Sequence, residues 1–402
     1  MDKPFEPPYR FSERAQQLTS SAIREILKIT ALPNIISFAG GLPAPEGFPV
    51  KQLRQAYDRV LLQHSRVALQ YGPTEGYAPL RAWVAAELNG AGAAVSPDEV
   101  LIVSGSQQAL DLVGKIFIDT GSKVLVETPT YLGALQSFGL YQPRFESIAS
   151  DEGGLLPDAL TPESMRDARF LYTLPNFQNP TGRTLDRARR DALVERAAAG
   201  GLVVVEDDPY GELRYAGEPQ PSLLALGREA GANVIRMGSF SKVLAPGLRL
   251  GYIVAQRGII DKLIQAKQAT DLHTSQLTQM AVYEIVKDGF LAEHLPKVRD
   301  LYHRQCGHML EAMAKEFPAS CTWTKPAGGM FIWATLPAHI DSTQLLARAV
   351  AQNVAFVPGA PFYAGAACAN TLRLSFVTVT EEKIRSGIAI LGKLIREWDA
   401  RP

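Results

Sequence analysis

The stretch VIRMGSFSKVLAPGLRLGY, Val234 to Tyr252, opens as a buried strand and then turns abruptly polar. Ser239, Ser241, Lys242 and Arg249 follow the apolar run within a turn-rich segment that also carries Pro246 and Gly247. A lysine by itself belongs on a solvated surface. Two hydroxyls and a guanidinium around it change that expectation, because together they can cradle a dianionic phosphate. A lysine amine beside such a cradle can form a Schiff base with an aldehyde.

The same pattern recurs on the N-terminal side. EVLIVSG, SKVLVETPTY, RFLYTLPNFQNPTG and GLVVVEDDPYG are each an apolar run that ends in turn residues. Short apolar runs such as Leu202 to Val205 suit strands covered on both faces. Helical segments between them predict parallel pairing and an α/β layer fold. Ligands in open α/β sheets bind beyond the carboxyl ends of the strands, so the loops after different strands can converge on one site.

Each polar cluster then has two readings. Ser106 and Gln107, in SGSQQAL, open a helix, either as a plain cap or as an anion site. Asn179, in PNFQNPTG, is a turn former or an amide donor held by a rigid turn. Asp207 and Tyr210, in VVVEDDPYG, are structural or sit beside a cationic ring nitrogen. No histidine lies near them to complete a transition-metal set, so no metal is expected. Arg373, in NTLRLSF, alternates with Leu372, Leu374 and Phe376 and stands on the polar face of a strand. There it faces solvent or clamps a substrate carboxylate. An aldehyde partner, a phosphate cradle and a carboxylate for a pyridinium nitrogen are together what pyridoxal 5′-phosphate requires.

The whole chain is consistent with this chemistry. Its 402 residues carry 41 Lys+Arg against 41 Asp+Glu, which favours neither nucleic acid nor an anionic membrane as a partner. Three cysteines, Cys306, Cys321 and Cys368, with no C-x-x-C spacing, predict free thiols in a reducing compartment. MDKPFEPPYRF lacks the apolar core of a signal peptide, and no apolar run has membrane-spanning length, so a cytoplasmic protein is expected. Helix and strand alternate from about Val50 to Ala255, and a helical stretch runs from about Leu272 to Phe317. Strand-like GGMFIWATL and NTLRLSF and a terminal helix in EEKIRSGIAILGKLIREW follow. We expect a large cofactor-binding domain over 49–295 and a smaller α+β domain built from 12–48 and 296–402.

The joint occurrence of N-P-T-G, D-x-x-Y, S-x-S-K and a late R-L-S-F resembles the fold type I pyridoxal-phosphate enzymes of the aspartate aminotransferase superfamily, over nearly the whole chain. SFAGGLPAPEGFP, ALQYGPTEGYAPLR, GSQQALDL and SKVLAPGLRLGY resemble its 2-aminoadipate, kynurenine and aromatic aminotransferase subgroup. The resemblance implies a transferase that passes an amino group from an L-amino acid to a 2-oxo acid such as 2-oxoglutarate, with ping-pong kinetics. It implies that Lys242 holds the cofactor covalently and moves the proton of substrate Cα. Asp207 would pair with the ring nitrogen, Tyr210 and Asn179 would bond the ring oxygen, and Tyr131 would stack on the ring. Ser106, Gln107, Ser239, Ser241 and Arg249 would bind the phosphate. Tyr71 would reach the phosphate of a neighbouring subunit in a homodimer. Gly41, Asn179 and Arg373 would contact substrate, with Arg373 on the α-carboxylate.

Substrate choice turns on Arg24, in SSAIREILKIT. It lies off the apolar face set by Ile23, Ile26 and Leu27, where it is a solvated charge or a partner for an acidic substrate side chain. The resemblance implies the second role. A β-lyase or decarboxylase on the same scaffold is one rival reading. A pyridoxal-phosphate-sensing regulator is another, opposed by the neutral charge and by the early start of the motif pattern. A nicotinamide dehydrogenase is opposed by the lack of G-x-G-x-x-G after any strand.

Overall fold

The computed structural model describes residues 9–16 and 34–399. The apolar runs form one seven-stranded sheet. Its strands are β1 (Val100–Val103), β2 (Lys123–Glu127), β3 (Arg144–Ile148), β4 (Ala168–Thr173), β5 (Val203–Asp207), β6 (Val234–Ser239) and β7 (Gly251–Val254). They lie in the order β1-β7-β6-β5-β4-β2-β3. Side chains alternate between two cores on opposite faces. Leu101 and Val103 enter one core, while Val100 and Ile102 enter the other. A sheet buried on both faces needs the near-continuous Val/Ile/Leu runs that these strands carry.

The sheet is parallel except at β7, which runs antiparallel to both β1 and β6. The connection explains this. Residues 240–250 contain a single 3₁₀ turn, Pro246–Leu248, and no helix long enough to cross a sheet face. The chain therefore turns back beside the strand it has just left. That return folds the Lys242 segment over the carboxyl end of β6.

A second sheet holds β8 (Thr322–Trp323), β9 (Phe331–Thr335), β10 (Val357–Pro358) and β11 (Thr371–Ser375) in the antiparallel order β8-β9-β11-β10. Helix Phe290–Glu316 packs against helix Glu381–Asp399 beside it. The expected boundary at 295/296 falls inside the helix Phe290–Glu316. Before the first sheet, Ile36–Ser37 pairs parallel to Val354–Ala355, and the Phe38 carbonyl accepts from Ser375 N at 2.8 Å. The segment leading to Gly41 is thereby tied to the second sheet, next to Arg373.

Among the described residues no helix is long and apolar enough to cross a membrane. No cluster of three or more His, Cys, Asp or Glu side chains that could hold a metal occurs among them either. None of the three cysteines is in a disulfide; two are buried and one is exposed.

Candidate active site

The loops after five strands of the large sheet meet the second sheet around a cavity of about 280 Å³. Gly41, Ser106, Gln107, Tyr131, Asn179, Asp207, Tyr210, Ser239, Ser241, Lys242, Arg249 and Arg373 all line it. Two expected residues do not. Tyr71 is 78% exposed and stands edge-on to the His273 ring, with centroids 5.8 Å apart. Arg24 lies outside the described residues. Leu42, Leu174 and Pro209 also line the cavity, and no motif in the sequence singled them out.

Lys242 enters from the loop after β6. Its Nζ donates to the Gly41 carbonyl at 2.8 Å. Burial, reinforced by the nearby Arg373 and Arg249 cations, holds its ammonium down to about 8. A substantial share of neutral amine is therefore present near neutral pH, as a nucleophilic or proton-accepting lysine requires.

Asp207 ends β5 and is 2% exposed. Its Oδ2 accepts from the Tyr172 hydroxyl at 2.7 Å. Its Oδ1 is buried with no hydrogen-bond partner among the described residues. Desolvation, with a smaller push from Asp208, raises the carboxyl to about 7 against the Tyr172 hydrogen bond and Arg236. A carboxyl so placed favours a cationic donor. Nothing in the sequence pointed to Tyr172, because its hydroxyl hides inside the apolar run RFLYTL.

Arg373 is not on a solvated face. Every residue of β11 is buried, and Arg373 is 2% exposed. Its guanidinium lies 4.2 Å from the Phe331 ring centroid and 5.3 Å from that of Phe362. One Nη donates to Asn179 Oδ1 at 2.8 Å and the other to the Ala39 carbonyl at 2.8 Å. Burial lowers its pKa to about 10, which leaves it charged. No carboxylate is paired with it among the described residues, so it suits an incoming one. The Asn179 amide nitrogen lies 3.5 Å from the Tyr210 hydroxyl, which links the two loops.

The phosphate-cradle candidates converge at the opposite end. Ser106 and Gln107 form the first turn of helix Ser106–Phe117, where amides have no intrahelical acceptor. Gly105, at φ +86°, brings the loop against Arg249, whose Nη2 would lie 2.6 Å from a Cβ at that position. Arg249 itself adopts φ +48°, and its Nη2 donates to the Ser104 carbonyl at 3.4 Å. Ser239 Oγ accepts from Ser241 N at 3.1 Å, which fixes the two hydroxyl-bearing residues together.

Glu127 is a further residue that the sequence did not reveal. It is buried at the end of β2, and burial raises its carboxyl to about 7 against hydrogen bonds from Thr173, Gln178 and the Leu174 amide. Gln178 Nε2 donates to Glu127 at 2.9 Å and to the Pro129 carbonyl at 2.7 Å. One carboxyl thus braces the loop of Tyr131 and the loop of Asn179 together. A second cavity of about 320 Å³ lies behind Asp208, walled in part by Trp83, Phe240 and Tyr252. Its Asp208 and Arg236 pair with each other at 2.7 Å.

A family model described as aminotransferase class I and II matches residues 34–391. The chain is similar to the 2-aminoadipate transaminase of Thermus thermophilus, with 49% identity over 98% of each chain. It is similar to aromatic-amino-acid aminotransferase 1 of Thermococcus litoralis, with 44% identity over 96% of this chain and 94% of that one. Among solved structures it is similar to an α-aminoadipate aminotransferase of Thermus thermophilus complexed with N-(5′-phosphopyridoxyl)-L-leucine. That match has a TM-score of 0.90 at 48% identity and covers 97% of this chain and 98% of that one.

Proposed function

The chain belongs to the class I and II aminotransferases, and from that premise we propose that it is a pyridoxal 5′-phosphate-dependent transaminase exchanging an amino group between an L-amino acid and a 2-oxo acid. The observation that carries this reading is the unpartnered Oδ1 of Asp207, a residue that lines the same cavity as Lys242. The residues present fit the cofactor. Asp207 supplies the carboxylate for a protonated ring nitrogen, and Tyr131 supplies a ring face. Ser106, Gln107, Ser239, Ser241 and Arg249 supply donors for a phosphate. When bound, pyridoxal phosphate supplies an aldehyde carbon that reacts with amines and a ring that takes up the electrons left at substrate Cα.

The chain's own groups do the rest. Arg373 orients the substrate through its α-carboxylate, with Asn179 holding one arm of the guanidinium. Lys242 Nζ would take the proton from substrate Cα and hand it back. Asn179 and Tyr210, whose polar groups lie 3.5 Å apart, would hold a ring oxygen by hydrogen bonds. The two units proposed, 49–295 and 12–48 with 296–402, place Lys242 on one and Arg373 on the other.

Assembly and substrate belong to the same proposal. Leu61, Leu62, Val67, Leu69, Tyr71 and Leu272 are all exposed by 40% or more in the single chain, Leu62 by 84%. So many large apolar residues facing water support a homodimer, in which Tyr71 reaches the partner's phosphate site. Balanced charge and cysteines outside any disulfide support a cytoplasmic setting. The 2-aminoadipate and aromatic relatives support donors of both kinds; 2-oxoglutarate is the acceptor proposed with them.

The test is the visible spectrum of the purified protein, which should sediment at twice the chain mass. L-2-Aminoadipate, L-glutamate, L-leucine or L-phenylalanine should bleach a yellow band, and 2-oxoglutarate should restore it. A band that no donor changes would remove the transaminase reading, and no band at all would remove the cofactor. Arg24 gives a sharper prediction. Arg24→Ala should raise KM for 2-aminoadipate and glutamate about tenfold or more, the worth of a charge-assisted pair, and leave leucine and phenylalanine within about twofold. Equal losses for all four donors would show that Arg24 does not read the side chain.

A further inference from the structure

Behind the phosphate cradle lies an ion pair, its lysine buried and its carboxylate open to solvent on one side, that the proposed function does not use. Lys267, on helix Arg257–Asp271, has a fully buried side chain. Its Nζ donates to Asp271 at 2.7 Å and 2.9 Å and to Gln108 Oε1 at 3.0 Å. Asp271 Oδ2 accepts from Gln108 Nε2 at 2.7 Å and from Ser104 Oγ at 3.1 Å. Gln108 Oε1 also accepts from Ser104 N at 2.7 Å, and Thr274 Oγ1 lies 3.1 Å from Ser104 Oγ. Burial pushes the Asp271 carboxyl up, but hydrogen bonds from Lys267, Gln108 and Ser104 outweigh it and hold the carboxyl below its ordinary value. Burial pulls the Lys267 ammonium down in turn, against the hydrogen bond and charge of Asp271. The pair is aimed at two residues, Ser104 and Gln108, that flank the first-turn residues Ser106 and Gln107.

Stability alone is a poor reason for this arrangement. An ion pair whose carboxylate reaches solvent is screened there and gives a fold little. What it supplies is direction, since each bond fixes one atom of the loop. Arg249 presses on the same loop from the other side, through Ser104 O and the bare face of Gly105. The loop is thus held between a cation that lines the cavity and an ion pair that does not.

We propose that Lys267 and Asp271 are positioning residues that set the Ser104–Gln108 loop so that it holds a phosphate-bearing cofactor in preference to one lacking the phosphate. The proposal rests on the cofactor reading above. It predicts an effect confined to the phosphate end of the ligand. A general loss of packing would weaken every ligand alike.

The experiment compares pyridoxal 5′-phosphate with pyridoxal, each titrated into the full chain stripped of cofactor and followed by the visible band. Asp271→Asn removes the charge at the centre of the network. Ser104→Ala removes one hydroxyl and leaves no buried charge unpaired, so it decides the matter if the first variant does not fold. Lys262→Ala, exposed on the same helix, is the control. We expect Kd for pyridoxal 5′-phosphate to rise about tenfold in Asp271→Asn and several-fold in Ser104→Ala. Kd for pyridoxal should stay within about twofold, so the preference for the phosphate falls. Equal weakening of both ligands, or an unchanged preference, overturns the proposal. A wild-type chain that binds the two ligands equally overturns the cradle assignment itself.

Discussion

Lys242→Ala should leave a folded protein that still binds pyridoxal 5′-phosphate but turns over at least about a thousandfold more slowly. The cradle formed by Ser106, Gln107, Ser239, Ser241 and Arg249 does not depend on the lysine. Asp207 and Tyr131 remain in place for the ring as well. What disappears is the one amine among the described residues that line the cavity, the group whose pKa is brought down to about 8 by burial and by Arg373 and Arg249. The substitution also relieves the cost of holding a cation among cations, so the variant should be no less stable than the parent. Borohydride reduction followed by mass spectrometry gives a second readout. The parent should carry the cofactor's mass on the peptide containing Lys242, and the variant should carry none. Transamination by the variant at near-parental rates, or label on a different lysine, would remove Lys242 from its role.

The distribution of legible and hidden features has a physical basis. Residues at strand ends were legible because buried strands are apolar and their ends are marked by Gly, Pro, Asn and Ser. Asp207, Asn179 and the Lys242 loop are all of this kind, and the structure brings them to one cavity. Residues inside an element were not. Tyr172 lies mid-strand in an apolar run, and only the structure shows its hydroxyl turned to Asp207. Glu127 reads as the last residue of a strand, and its brace between two loops depends on Gln178, distant in sequence. Arg373 shows the limit of periodicity. Alternation placed it on the polar face of its strand, yet that face meets Phe331, Phe362 and Asn179 where solvent was the other possibility. The antiparallel β7 was hidden for a similar reason, since its apolar run looks like that of its parallel neighbours. Only the short connection from β6 sets its direction. Tyr71 is a different case. A residue whose proposed partner is on another subunit has little in its own chain to touch, and here its ring meets that of His273.

Asp207→Asn should lower turnover by roughly 10²- to 10³-fold, comparable to removing one preorganised charge from an active site. It should at the same time make the cofactor-free protein more stable in alkaline solution. The two effects have one cause. In the folded chain without cofactor, burial raises the Asp207 carboxyl to about 7, well above its ordinary value near 4. A carboxyl raised on folding binds its proton more tightly in the native state than in the unfolded one. Native stability therefore declines as pH rises from about 4 to about 7, and the full cost of the buried carboxylate is present above that window. Asparagine keeps a carbonyl oxygen for the Tyr172 hydroxyl and carries no charge, so it escapes the cost. Melting temperatures of the cofactor-free proteins should be close at about pH 4 and should separate by roughly a few degrees in favour of the variant at pH 8. Cofactor should reverse the order. A protonated ring nitrogen supplies the donor that Oδ1 lacks, so the parent gains more from binding than the variant does. A parent that is the more stable of the two at pH 8 without cofactor would show that Asp207 is satisfied within the chain. Full turnover by the variant would show that no ring nitrogen depends on it. The buried carboxylate is then an instance of a site kept strained in the empty protein and satisfied by its ligand. The measurable sign of that strain is a stability order that inverts when the cofactor binds.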